Sequence, residues 1–353
     1  MKVLVVIGAR PQFIKHAPFE LACKDKIEVV TVHTGQHYDA NMSEVFFNEL
    51  GMSQPKYMLS TGGGNHGVQT GRMLQEIEPI LLDEKPDYLL VYGDTNSTLA
   101  GALAASKLHI PVIHVEAGLR SFNKTMPEEI NRILTDHVSD LLFTSTKVAV
   151  QNLENEGIIN HVFRVGDIMA DSVSIALQIN ASKGSPRPFP YYLVTVHRPY
   201  NTDKKDRLLE LLNTLDGVDK KVIFPIHPRT RTLAAQFQID LETFTNIEFC
   251  EPLSYFENIH YLKNAEHAIT DSGGLQKEAY ILKTPCITVR SETEWVETLE
   301  SGWNVLCFDN LNELPKLLGR TVGSHKQDLY GDGQASIEIV NIILQHGSKE
   351  ADK

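Results

Sequence analysis

The stretch AEHAITDSGGLQKEA (265–279) passes from a short apolar run, through two adjacent glycines, into residues that favour helix. Paired glycines weaken the start of a helix, so they must gain something else. One gain is a tight turn, where glycine takes backbone angles other residues avoid. The other is bare backbone N–H groups at a helix N-terminus, which attract an anion. Either way the stretch reads as a strand feeding a helix, the repeating step of an α/β fold.

That step recurs along the chain. Strand-like runs occupy 2–8, 28–35, 88–94, 111–118, 141–146 and 162–167, with helical sequences such as NSTLAGALAASKL and PEEINRILTDHVSD between them. Residues 181–190, ASKGSPRPFP, carry the small residues, prolines and glycine of a linker. The alternation then restarts with YYLVTVHR, KVIFPIHPR, NIEFCEP, AEHAITDSGG, TPCITVR and WNVLCF. The pattern predicts two doubly wound domains, 1–180 and 191–335, with an interdomain cleft and a closing helix over 336–353 that packs back on the first. Ligands of such folds bind beyond the carboxyl ends of the strands.

Composition narrows the function. The 33 basic and 45 acidic residues leave a formal charge of −12, which speaks against nucleic-acid or anionic-membrane partners. The apolar run of MKVLVVIGAR is short for a secretory signal, and no run has the length of a membrane span. Four scattered cysteines fit reduced thiols in a cytoplasmic protein. Neither GxGxxG nor a Walker loop occurs, so no nicotinamide or NTP cofactor is expected. GGGNHG (62–67) reads as a flexible loop over the cleft.

Polar groups collect at the strand ends. Ser272 can cap the helix after 270, leaving Gly273 and Gly274 to face a diphosphate, and Glu278 lies about one turn on, within reach of a ribose. A capped helix behind a glycine turn is the plain alternative. Arg10, Lys15, His197 and Arg290 at other strand ends favour the anion. Asp94 and Glu116 end consecutive strands and are expected near one another. Glu128 admits two readings: a capping box with Thr125 and an i,i+4 pair with Arg132, or an acid/base group beside Asp94 and Glu116. His114 reads as a satisfied core residue. His227 stands second to His197 among functional histidines, and His33 with His37 lacks the setting of a zinc site.

GARPQFIK, YGDTNSTLAG, HVEAGLRS, MPEEINR, FPIHPR, TDSGGLQKEA and the late YGDGQAS resemble the non-hydrolysing UDP-N-acetylglucosamine 2-epimerase family, in order, from residue 1 to about 336. The resemblance implies a GT-B-like pair of Rossmann-type domains, a homodimer, and inversion at carbon 2 of a UDP-linked 2-acetamido sugar. The route it implies is loss of UDP to a glycal and re-addition. It assigns Asp94, Glu116 and Glu128 to acid/base work. Arg10, Lys15 and His197 would hold the UDP and sugar end, and Ser272, Gly273, Gly274 and Glu278 the phosphate and ribose; no metal is implied.

The chain departs from the better-known branch at Gln36-His37-Tyr38-Asp39-Ala40, at Pro199-Tyr200, and at Trp295, which stands where that branch has a binding arginine. HTGQHYDANMSE, RSFNKTMPEEINRILTD and TEWVE look closer to the branch acting on UDP-2,3-diacetamido-2,3-dideoxyglucuronate for bacterial surface polysaccharide. A GT-B glycosyltransferase using a UDP-sugar and a hydrolysing 2-epimerase are the rival enzymes. A nucleotide-sugar-binding protein is the rival without chemistry, and it would leave Asp94 and Glu116 facing an anion for no benefit.

Overall fold

In the computed structural model, which describes residues 1–36, 51–300, 302–326 and 329–351, the chain forms two compact units. The first comprises 1–172 with 328–353, and the second 173–327. The positions 37–40, where the sequence departs from the better-known branch, lie outside the described residues.

The first unit is built on a seven-stranded parallel sheet ordered β3-β2-β1-β4-β5-β6-β7. Its strands are β1 (Lys2–Ile7), β2 (Glu28–His33), β3 (Tyr57–Met58), β4 (Tyr88–Tyr92), β5 (Val112–Val115), β6 (Leu141–Thr144) and β7 (Val162–Arg164). The central runs VLVVI and YLLVY are buried residue for residue, as strands covered on both faces must be. The helices that cover them are α1 (Arg10–Cys23), α2 (His66–Glu84), α3 (Asn96–Lys107), α4 (Pro127–Val138), α5 (Lys147–Asn155) and α6 (Ile168–Ile179). Leu4, Val6, Val32, Leu89 and Val91 pack with Met73, Ile77 and Leu81 of α2 and with the alanines of α3.

The second unit repeats the plan with six parallel strands ordered β10-β9-β8-β11-β12-β13. They are β8 (Tyr191–Thr195), β9 (Lys221–Pro225), β10 (Ile247–Cys250), β11 (His267–Thr270), β12 (Cys286–Thr288) and β13 (Asn304–Leu306). Between them lie α7 (Pro199–Thr202), α8 (Lys205–Asp216), α9 (Pro228–Gln236), α10 (Tyr255–Asn264) and α11 (Gly273–Ile281), and α12 (Leu314–Leu318) follows β13. Leu208, Leu211, Leu212 and Leu215 of α8 fall on one helical stripe and pack with Val194, Phe224, Ile269 and Ile287 of the sheet.

Both sheets reverse their winding once, between β1 and β4 and between β8 and β11. Such a switch point opens a crevice at the carboxyl ends of the strands. Register sets what stands there. Val6 lies opposite Val91, so Gly8 comes beside Gly93. Thr195 lies opposite Thr270, so Val196 comes beside Asp271 and His197 beside Ser272.

The units divide inside α6 rather than at the linker, and 328–335 belongs to the first unit rather than the second. Hydrogen bonds explain the reassignment. Asp167 N donates to Tyr330 O (2.8 Å), and the buried Asp171 carboxylate accepts from Ala335 N (3.1 Å) and Ser336 N (2.8 Å). These amides open α13 (Ala335–Ala351), which packs on α1. GGGNHG is only partly a loop: Asn65 is an N-cap, and His66 and Gly67 already belong to α2. Among the described residues, no helix is long and apolar enough to cross a membrane.

Candidate active site

At the switch point of the first unit, Gln12 joins the two strand ends. Its Oε1 accepts from Gly8 N (2.8 Å) and Ala9 N (3.0 Å), while its Nε2 reaches Tyr92 O, Thr98 Oγ1 and Thr95 Oγ1 at 2.9–3.1 Å. Arg10, half-buried, is the first residue of α1. One turn further, the buried Lys15 ammonium forms an ion pair with Glu116. Glu116 takes a left-handed backbone angle, φ +70°, which a non-glycine residue adopts under constraint. Gly93, at φ +64°, lies against this pair: a Cβ there would sit 3.4 Å from Glu116 Oε2 and 3.8 Å from Lys15 Nζ.

Asp94 follows Gly93. Arg132 of α4 places Nε (3.0 Å) and an Nη nitrogen (2.6 Å) on its Oδ2. Burial raises the Asp94 carboxyl above the usual aspartate range; Arg132 and Lys15 pull it down and Glu116 adds to the rise. Two neighbouring carboxyls therefore differ in environment: Glu116 is buried against a lysine, whereas Asp94, held by an arginine, keeps 30% of its side chain exposed. Such a difference lets one carboxyl give a proton and the other take one.

Glu128 is exposed in the first turn of α4, and neither structural duty expected of it holds. The N-cap is Met126, without a side-chain cap, because the Thr125 hydroxyl bonds Asn123 Oδ1 (2.7 Å). Arg132 pairs with Glu129 (2.8 Å) and Asp94 instead. Glu129, buried, also accepts from Ser121 N, Ser121 Oγ and Phe122 N. Burial alone would raise Glu129; these donors and Arg132 hold it below the ordinary range. The sequence reading missed Glu129, although Glu129, Arg132 and Asp136 are polar residues spaced three and four apart on one helix face.

The second unit gathers His197, Ser272, Gly273, Gly274, Glu278 and Arg290. Asp271, wholly buried, anchors its switch point by accepting from His197 N, Arg198 N and Asn201 Nδ2 at 2.9–3.1 Å. The His197 ring lies with Nδ1 3.6 Å from Asp271 and stacks on His227 at 5.7 Å. His227 itself caps α9, its Nδ1 accepting from Arg229 N.

Ser272 is the N-cap of α11 by backbone geometry, but its hydroxyl makes no cap hydrogen bond. A Cβ on Gly273 would collide with the Glu294 carboxylate and lie 3.7 Å from an Nη of Arg290, whereas space around Gly274 is open. Arg290 pairs with Glu294 (3.0 Å) through one Nη, and its other Nη is buried without a hydrogen-bond partner among the described residues. The helix mouth thus holds a leftover guanidinium donor and a bare backbone, the two features an anion uses. Glu278 is buried in the second turn of the helix, and neighbouring Lys277 places its ammonium over the Trp295 ring, 4.2 Å from the centroid. Trp295 therefore covers a lysine where the better-known branch has an arginine.

The family model described as UDP-N-acetylglucosamine 2-epimerase matches residues 20–344. A UDP-2,3-diacetamido-2,3-dideoxy-D-glucuronate 2-epimerase from Pseudomonas aeruginosa is 48% identical, over 98% of this chain and 100% of its own length. A UDP-N-acetylglucosamine 2-epimerase homolog from Methanococcus maripaludis is 47% identical, over 97% and 99%. The crystal structure of Methanocaldococcus jannaschii UDP-GlcNAc 2-epimerase, in complex with UDP-GlcNAc and UDP, superposes with a TM-score of 0.87 at 45% identity, covering 98% of this chain and all of that one. The chain belongs to the UDP-N-acetylglucosamine 2-epimerase family.

Proposed function

We propose that this epimerase, an isomerase by family, inverts carbon 2 of a UDP-linked 2-acetamido sugar by elimination and re-addition of UDP. The observation that carries the mechanism is the pair Asp94 and Glu116, adjacent carboxyls held in unlike environments. Carbon 2 has no neighbouring carbonyl to acidify its proton. Removal of that proton becomes feasible when UDP leaves carbon 1 in the same event, which forms a glycal. A carboxylate takes the proton, UDP departs with the C–O electron pair, and re-addition accompanies protonation from the opposite face.

The residues divide by chemistry. Asp94, Glu116 and the exposed Glu128 work on the sugar; among the described residues Glu128 serves neither as a cap nor as a partner of Arg132. Arg290, Gly273 and Gly274 receive the diphosphate and stabilise its growing charge. Ser272 and Glu278 serve phosphate and ribose, while Arg10, Lys15 and His197 hold the UDP and sugar end. The 48% identity to the diacetamidoglucuronate epimerase favours that substrate, and UDP-N-acetylglucosamine is the second candidate. We place the enzyme in the cytoplasm as a homodimer that supplies surface polysaccharide.

Turnover of a panel of UDP-2-acetamido sugars in deuterated water tests the reading. The product should carry deuterium at carbon 2, and UDP with free glycal should accumulate slowly. An epimerised product that keeps its carbon-2 hydrogen, with no glycal, refutes elimination. A demand for an acceptor sugar would favour the transferase.

A further inference from the structure

His114 lies in β5, wholly buried, and both of its ring nitrogens are engaged. Nδ1 is 2.6 Å from Asp136 Oδ1 and Nε2 is 2.8 Å from the Gly93 carbonyl. A carbonyl oxygen only accepts. The Asp136 carboxylate also receives Arg120 (2.7 Å) and Gly118 N (3.1 Å), so it too is an acceptor. Burial pushes Asp136 upward, yet His114 and Arg120 outweigh it and hold the carboxyl below the usual range. With acceptors on both sides, each ring nitrogen is placed to donate. The network runs outward from there: Arg120 shares Asp136 and also grips Glu156, which in turn meets His137.

The acceptor on the Nε2 side is no ordinary strand carbonyl. Gly93 turns the chain at φ +64°, and the next residue is Asp94. Asp136 sits on the same helix as Arg132, the residue that grips the Asp94 carboxylate. We propose that His114 is a positioning residue whose two N–H groups tie the Gly93 carbonyl to Asp136 and so fix the turn that presents Asp94. The proposal rests on the role of Asp94 given above. A core histidine needs only one donor and one acceptor; this one is a clamp.

His114→Gln and His114→Asn separate the clamp from mere filling. A glutamine amide can reach toward Gly93, whereas an asparagine amide reaches only Asp136. The asparagine variant should lose about 100-fold in kcat with KM nearly unchanged, the scale of a displaced catalytic group. The glutamine variant should recover most of that loss. Wild-type kcat in the asparagine variant, or equal losses in both, overturns the proposal. Should neither variant fold, nitrogen NMR of histidine-labelled wild type decides. Two ring N–H groups on His114 support the clamp, and a ring with a single N–H refutes it. Wild-type protein that epimerises no UDP-sugar counts against the functional reading instead, and the NMR result still judges His114.

Discussion

Arg132 sets two guanidinium nitrogens on a single oxygen of Asp94, at 2.6 and 3.0 Å, while a third nitrogen holds Glu129. The carboxylate is thereby aimed and its proton affinity restrained, because the arginine opposes the rise that burial imposes. Removing the guanidinium, as in Arg132→Met, should raise Asp94 further. If Asp94 works as a base, the acid limb of the kcat/KM profile moves to higher pH and turnover falls by about two orders of magnitude. A profile with an unmoved acid limb would take Asp94 out of the chemistry.

Glu128→Gln probes the exposed carboxyl directly. Among the described residues its neighbours lose no cap and no ion pair, so the thermal midpoint should stay within about a degree or two of wild type. Turnover should drop about 100-fold if the carboxyl moves a proton. A stable variant with full activity would leave Glu128 an ordinary surface residue.

Glu294 rests its carboxylate against Gly273 at the mouth of α11 and occupies one edge of Arg290. An incoming diphosphate has to displace that charge. Glu294→Gln should therefore bind UDP about tenfold more tightly, equivalent to ~1.4 kcal/mol. Calorimetric titration with UDP checks this, and weaker binding would mean that Glu294 orients Arg290 rather than competing with the ligand.

Glu84 gives the pH dependence of stability. Hydrogen bonds from Lys56 and Tyr57, joined by Lys2, pull its carboxyl from 4.5 to about 2. A depressed carboxyl stabilises the fold above its unfolded value, and that contribution is lost as pH falls from 4.5 toward 2. Thermal melts of Glu84→Gln should lie below wild type at neutral pH and converge with it near the acid end of that window. Parallel curves across the window would show that the three partners do not favour the charged form.

The architecture was legible because buried parallel strands are continuous apolar runs, and VLVVI or YLLVY can hardly be anything else. Strand ends also marked Arg10, Asp94, Glu116 and His197 as candidates, since polar side chains there have no packing reason. What escaped was pairing. Glu128 and Glu129 stand four and three residues before Arg132, and both spacings allow a pair, so the sequence leaves the choice open. His114 and Asp136 are 22 residues apart, and nothing local in either says that they meet. Trp295 likewise gave no sign that it would lie on Lys277.

The first unit takes its last amides, those of Ala335 and Ser336, from a segment that follows the whole of the second unit in sequence. A ribosome therefore finishes the second unit while the first still has a buried carboxylate, Asp171, waiting for its donors. The earlier-made half matures last, and until 328–351 emerges its α1 face lies open to chaperones and proteases.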